Sequence, residues 1–184
     1  VLRDLLAIYT TVIRAVPELV LILILYYVGT DLINQAAALM GYGRVEISGV
    51  VAGIWVLGVV QGAYATEVLR GAIQAVPPGQ IEAARAYGMP AFMTMRRVTI
   101  PAMMSFATPG LANLWLIATK DTALLAVVGF NELTLEPKQA ASSTRAYFTF
   151  FLAAGGLYLV VTLFSGAIFA RIEKWARRGQ PSLR

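Results

Sequence analysis

Few side chains in this sequence could do chemistry, and most of those lie inside or beside apolar runs. Cysteine and histidine are both absent from the 184 residues, which excludes disulfides, thiolate metal sites and imidazole bases. No G-x-x-x-x-G-K-[ST] phosphate loop occurs either, so nucleotide hydrolysis would have to happen elsewhere. What remains is a set of polar residues in hydrophobic surroundings: Glu67, Asn113 and the adjacent Lys120 and Asp121. A charge at the centre of a membrane segment costs about 2.5–3.5 kcal/mol on insertion scales, so such residues are read first as parts of a pathway. Glu67 lies 19 residues beyond Ser48, about 28 Å along a helix, where it is either a pathway residue or the interfacial partner of Arg70. Asn113 follows Pro109-Gly110, an expected kink; its amide either lines a pathway or bonds to another helix. Neighbouring helical residues point about 100° apart, so Lys120 and Asp121 each need a partner elsewhere unless they form a local structural pair. They are placed at the outer end of a pathway beside the third apolar run. A solute with an extra positive charge favours Asp121 as the direct contact.

A second group of residues lies in the polar stretch Val76–Ala102, VPPGQIEAARAYGMPAFMTMRRVTIPA. Pro77-Pro78 cannot continue an incoming helix. Gly79 can cap a new one, Gly88 supplies a left-handed stop, and Pro90 follows. The spacing predicts a two-turn helix about 12 Å long. Ala83 and Ala84 offer almost no side chain, so another protein's surface could approach there. Glu82 and Arg85, at i and i+3, can pair locally.

The elements that must position these groups are membrane spans. Apolar residues make up 58% of the chain and charged residues only 14%, against roughly a quarter charged in soluble domains. A bilayer core of about 30 Å needs about 20 helical residues. Four stretches suffice: about 18–40, 47–70, 98–120 and 147–170. The first is preceded by an amphipathic segment. The run Thr122–Phe130 has nine residues, too few to cross, and reads as interfacial or re-entrant. The expected fold is therefore all-α, one polytopic bundle over residues 1–184. Eleven Lys and Arg residues fall on one side of these spans, against Arg44, Lys138 and Arg145 on the other. Lys120 lies near that second edge. This places both termini and the 67–101 loop in the cytoplasm. The net charge of +5 is spread around the spans and forms no stripe for nucleic acid. Gly49, Gly53, Gly58 and Gly62 make small-xxx-small pairs suited to close helix packing, and Gly155, Gly156 and Gly166 recur in the last span.

Glu82-Ala83-Ala84, then Gly88, then Val98-Thr99-Ile100-Pro101 resembles the EAA loop of bacterial ABC importer permeases. The family pattern is EAA, three residues, Gly, nine residues, then I-x-L-P; the spacing is matched and Val and Ile replace the aliphatic pair. Three further segments are similar to the polar-amino-acid uptake branch, which includes histidine/lysine/arginine/ornithine and opine permeases. They are Tyr9–Leu19, Gly62-Ala63-Tyr64 with Glu67, Arg70, Gly71 and Ala72, and Lys120–Leu124. The resemblance implies a type I importer permease fold from which the family's first span is missing here. It implies a non-enzymatic subunit of a bacterial inner membrane importer, surrounded by lipid. Its partners would be ABC ATPase subunits, a second homologous or identical permease subunit, and a periplasmic or extracellular solute-binding protein. Gln80, Glu82, Ala83, Ala84 and Gly88 would couple it to the ATPase. The expected solute is a polar, basic amino acid; an opine or a neutral polar amino acid is the alternative. No cofactor, metal or nucleic acid is expected. A channel or ATPase-independent transporter would need a charged or broken-helix centre and no docking loop, and a membrane anchor or sensor would bring no ATPase with it.

Overall fold

The computed structural model describes residues 1–130 and 133–178, and among these all regular structure is helical. Arg184, one of the eleven counted charges, lies outside the described residues. The elements are α1 (Leu2–Ala15), α2 (Glu18–Leu39), α3 (Gly49–Gln74), α4 (Pro78–Ala86), α5 (Ala91–Thr94), a π turn (Met95–Thr99), α6 (Ile100–Asp121), a 3₁₀ segment (Thr122–Val128), α7 (Leu135–Thr144) and α8 (Tyr147–Ala176). Four stretches are long and apolar enough to cross a membrane: 18–39, 49–74, 91–128 and 147–176. Pro17 separates α1 from α2 because it holds the preceding Val16 extended, at φ −97° and ψ 138°.

Two boundaries differ from the sequence reading. The third span begins at Ala91, not near residue 98, because Pro90 starts a helix instead of prolonging the loop. The helix then passes through the basic pair Arg96-Arg97 as a π turn whose closing bond runs from the Ile100 N–H to the Met95 carbonyl. Pro101 comes immediately after. It has no N–H for the Arg97 carbonyl and its ring would crowd that oxygen, so the turn widens where the α-ladder would fail anyway. Downstream, Thr122–Val128 is no separate segment; it continues α6 as a 3₁₀ helix. That helix stops at Gly129, whose φ is +79°. The amides of Gly129 and Phe130 close the stop on the carbonyls of Ala126 and Leu125 at 3.1 and 3.2 Å.

The chain forms two compact units, residues 1–64 with 117–161, and residues 65–116 with 162 onward. In the first, Ile13, Leu21, Val60 and Ala63 form one buried cluster and Ile22, Val56 and Leu125 another. Gly49 and Gly53 seat the 3₁₀ segment: a Cβ there would lie 2.7 Å from the Phe130 ring and 2.9 Å from Leu125 Cδ1. The Tyr9 hydroxyl donates to the Val59 carbonyl of α3 and lies over Gly62. In the second unit, Gly110 touches Val68, where a Cβ would come within 2.6 Å of Cγ1, and Trp115 packs on Phe169 with ring centroids 6.3 Å apart. Gly155, Gly156 and Gly166 meet nothing within 4 Å of a built Cβ. The large apolar side chains Phe148, Leu152, Val160 and Phe164 of α8 are exposed, as a lipid-facing span requires.

Candidate functional site

A polar cluster lies inside the first unit. Asp121, the last residue of α6, accepts a hydrogen bond on Oδ2 from Gln61 Nε2 of α3 at 2.9 Å. Glu18, the first residue of α2, lies close enough to act on both Asp121 and Tyr64. Arg14 acts on Tyr64, and Lys120 on Asp121, through charge. The other amide atom, Gln61 Oε1, is buried and has no partner among the described residues, so the site holds one unused acceptor. Thr122 adds a wall where its hydroxyl meets that of Tyr158 of α8 at 3.4 Å.

The level of this cluster can be read along α3. Gln61 is 12 residues from the start of α3 and 13 from its end, about 18 and 20 Å along the axis. Asp121 therefore stands level with the middle of α3. Of the four pathway candidates, only Asp121 and its neighbour Lys120 belong to the cluster. Lys120 is exposed beside it. Glu67 forms an ion pair with Arg70, the local pairing open in the sequence. Asn113 is exposed on α6. Glu18, Gln61 and Tyr64 were missed as site residues. The available signals were a lone amide in an apolar span and an acid placed directly after Pro17.

Chemically, the cluster sets two carboxylates against each other in apolar surroundings. Like charges this close repel, and a cation between them relieves the repulsion. A guanidinium or ammonium group entering here would meet Asp121, Glu18 and the free Gln61 oxygen, with the cations Arg14 and Lys120 within electrostatic reach for a carboxylate.

The loop between α3 and α6 forms a compact hairpin in the second unit. Pro77 and Pro78 open α4, and the Gln80 amide bonds the Pro77 carbonyl at 3.0 Å. At the other end, Gly88 N–H bonds the Arg85 carbonyl at 2.9 Å and Met89 N–H bonds the Ala84 carbonyl at 3.1 Å. This is the Schellman pattern, and it needs the φ of +75° that Gly88 adopts. Thr94 ties α5 back through its hydroxyl to the Met89 carbonyl at 3.3 Å. Gln80, Glu82 and Ala83 are exposed, whereas Ala84 is buried against its own chain. Ala83 alone of the alanine pair is thus open to another surface, because Ala84 is the residue that packs α4 down. Two aromatic residues in the same hairpin, Tyr87 and Phe92, are 87% and 77% exposed.

Comparison with known proteins gives a consistent picture. Residues 1–178 match the family described as binding-protein-dependent transport system inner membrane component. The nopaline transport system permease protein of Agrobacterium fabrum is 45% identical over 94% of this chain and 74% of its own length. The histidine/lysine/arginine/ornithine transport system permease protein of Escherichia coli is 41% identical over 90% of this chain and 73% of its own. Among solved structures, a chain from the crystal structure of an amino acid ABC transporter with histidines superposes with a TM-score of 0.74 at 33% identity. That match covers 91% of this chain and 73% of the other.

Proposed function

Because the chain belongs to the family of binding-protein-dependent transport system inner membrane components, permease subunits of ABC importers for amino acids and opines, we propose that it translocates a cationic amino acid and that Asp121 contacts the solute. The observation that carries this reading is the meeting of Asp121 and Glu18 beside Gln61 and Tyr64 halfway along a spanning helix. A cation entering that site relieves the repulsion of the carboxylates and fills the unused Gln61 acceptor; a neutral solute leaves the repulsion in place. Nopaline, octopine, arginine and the histidine/lysine/arginine/ornithine group are named for the relatives. The 45% identity to a nopaline permease favours an opine as the second reading, and the same acidic pair would serve it if the opine carries a cationic side chain.

In this reading the subunit binds no ATP. The α4 hairpin sits in a groove of an ATPase partner through Gln80, Glu82, Ala83 and the Gly88 stop. A second permease subunit completes the pathway and a solute-binding protein delivers the cargo. Closure of the ATPase pair moves the hairpin as one body, a two-state change biased by a ligand on a partner. The excess of Lys and Arg beside the hairpin and at both ends supports a multi-pass chain with cytoplasmic termini in the bacterial inner membrane.

The test is L-arginine uptake by proteoliposomes holding the assembled complex, with stimulated ATPase activity recorded in parallel. Asp121→Asn is expected to raise the half-saturating concentration about tenfold, the size of one charge-assisted hydrogen bond, while the ATPase still responds. An unchanged concentration dependence removes Asp121 from the pathway.

A further inference from the structure

Away from the polar cluster, opposite charges line one cavity. A cavity of about 610 Å³ lies between the last turns of α2 and the connection to α3, lined by Tyr26, Tyr27, Asp31, Tyr42 and Arg44 among others. Its volume falls in the range of small-molecule sites. The connection is held firmly. The Tyr42 N–H bonds the Ala37 carbonyl at 2.9 Å, and the Val45 N–H bonds Asn34 Oδ1 at 2.8 Å. Asn34 is fixed in turn, its amide donating to the Thr30 carbonyl at 3.0 Å. Arg44 therefore hangs between two pinned residues. Asp31 is oriented by Gln35, whose Nε2 donates to Oδ2 at 2.6 Å. Although both line the same cavity, Arg44 and Asp31 form no ion pair with each other among the described residues. The Tyr26 and Tyr27 rings stand edge to face at 5.2 Å, which presents π surface beside the acid.

We propose that this cavity is a second, outer solute site that takes a free cationic amino acid. The solute's positive side chain lies against Asp31 and the tyrosine rings, and its carboxylate meets Arg44. The chemistry follows from the lining: one anion, one cation and aromatic faces that attract cations. An internal salt bridge would leave no charge to recognise anything, and here both charges remain available. The proposal rests on the cationic-solute reading above, and the charge asymmetry of the loops puts this cavity on the side from which cargo arrives.

The experiment is equilibrium binding of radiolabelled L-arginine to the assembled complex in nanodiscs, without the solute-binding protein, repeated with agmatine, which lacks the carboxylate. Wild type is expected to show two classes of site. Arg44→Gln should weaken one class at least tenfold for L-arginine and less than twofold for agmatine. Asp31→Asn should weaken that class for both, and Asp121→Asn should weaken the other class alone, about tenfold. The proposal is overturned by a single class that Asp121→Asn weakens, or by isotherms that neither Arg44→Gln nor Asp31→Asn changes. A shift only in the solute-binding protein concentration that half-stimulates the ATPase also overturns it, since that would make the surface a protein dock. If the wild type takes up no L-arginine at all, the substrate reading itself falls and this site with it. Uptake without a second class removes the outer site only.

Discussion

The α4 hairpin and the Asp121 cluster are built in opposite ways. Every hydrogen bond that shapes α4 and its stop joins residues within a few positions of each other, and the side chains offered to a partner are exposed. The cluster takes one residue from the start of α2, two from the middle of α3 and one from the end of α6; its Gln61–Asp121 bond alone joins positions 60 apart in sequence. The first is a small body that keeps its shape whatever the spans do. The second exists only while several spans hold their relative heights. The proposed function uses both kinds of part: a stiff handle to be pushed, and a site that forms and dissolves as helices shift.

The comparison is broken most severely at Gly88. Gly88→Leu places a side chain in the left-handed region, costing about 1–2 kcal/mol locally, and loosens both bonds that end α4. ATP-driven uptake should fall to background in proteoliposomes while membrane insertion stays normal. Gly88→Asn, which tolerates this φ, should retain a measurable rate; equal loss in both variants would remove backbone geometry as the cause. Next comes Glu82→Lys, a charge reversal on an exposed site. It too should abolish uptake, but without weakening L-arginine binding to the complex, and normal uptake with an assembled ATPase would sink the coupling role. Smaller effects are expected in the cluster. Gln61→Leu removes both the donor to Asp121 and the unused acceptor and should raise the half-saturating concentration several-fold, with ATPase stimulation at saturation within about twofold of wild type. The smallest effect tests packing apart from both sites. Gly110→Ala drives a methyl into Val68 and should destabilise the helix contact by about 1–3 kcal/mol, read as a lower melting temperature in detergent. Val68→Ala in the same chain should restore most of it.

Local construction also explains what was legible in the sequence. Gly88, Pro77-Pro78 and the alanines of α4 announce a capped helix because the signals lie within one turn of what they control. The four spans were legible for the same reason, being continuous apolar runs. Pro90 and the pair Arg96-Arg97 look like loop, yet a helix starts directly after Pro90 and runs through the arginines; a span longer than the bilayer carries its charges outside it. Ala84 looked as open as Ala83, since adjacent residues give no sign of which one faces inward. Glu18 stood inside a recognised segment and Gln61 inside a recognised span, but neither is marked as a partner of Asp121. Their meeting depends on how far each helix is displaced along its axis, and hydropathy carries no information about that displacement. The level at which Asp121 meets Gln61 is hidden for the same reason.

The π turn at Met95–Thr99 has a consequence for phase. One residue more than an α-helix needs is accommodated there, and each residue advances a helix by about 100°. Every side chain from Ile100 onward is therefore rotated by that amount from the face that an unbroken α-repeat starting at Ala91 would assign to it. Length and orientation are separated at this point. Deleting a single residue between 95 and 99 would act less as a shortening than as a screw rotation, turning Gly110 away from Val68 while leaving the apolar content of the span untouched. The five residues thus work as a register setting between the hairpin and the span, and a pairing of related sequences that ignores the extra residue would line up the wrong faces.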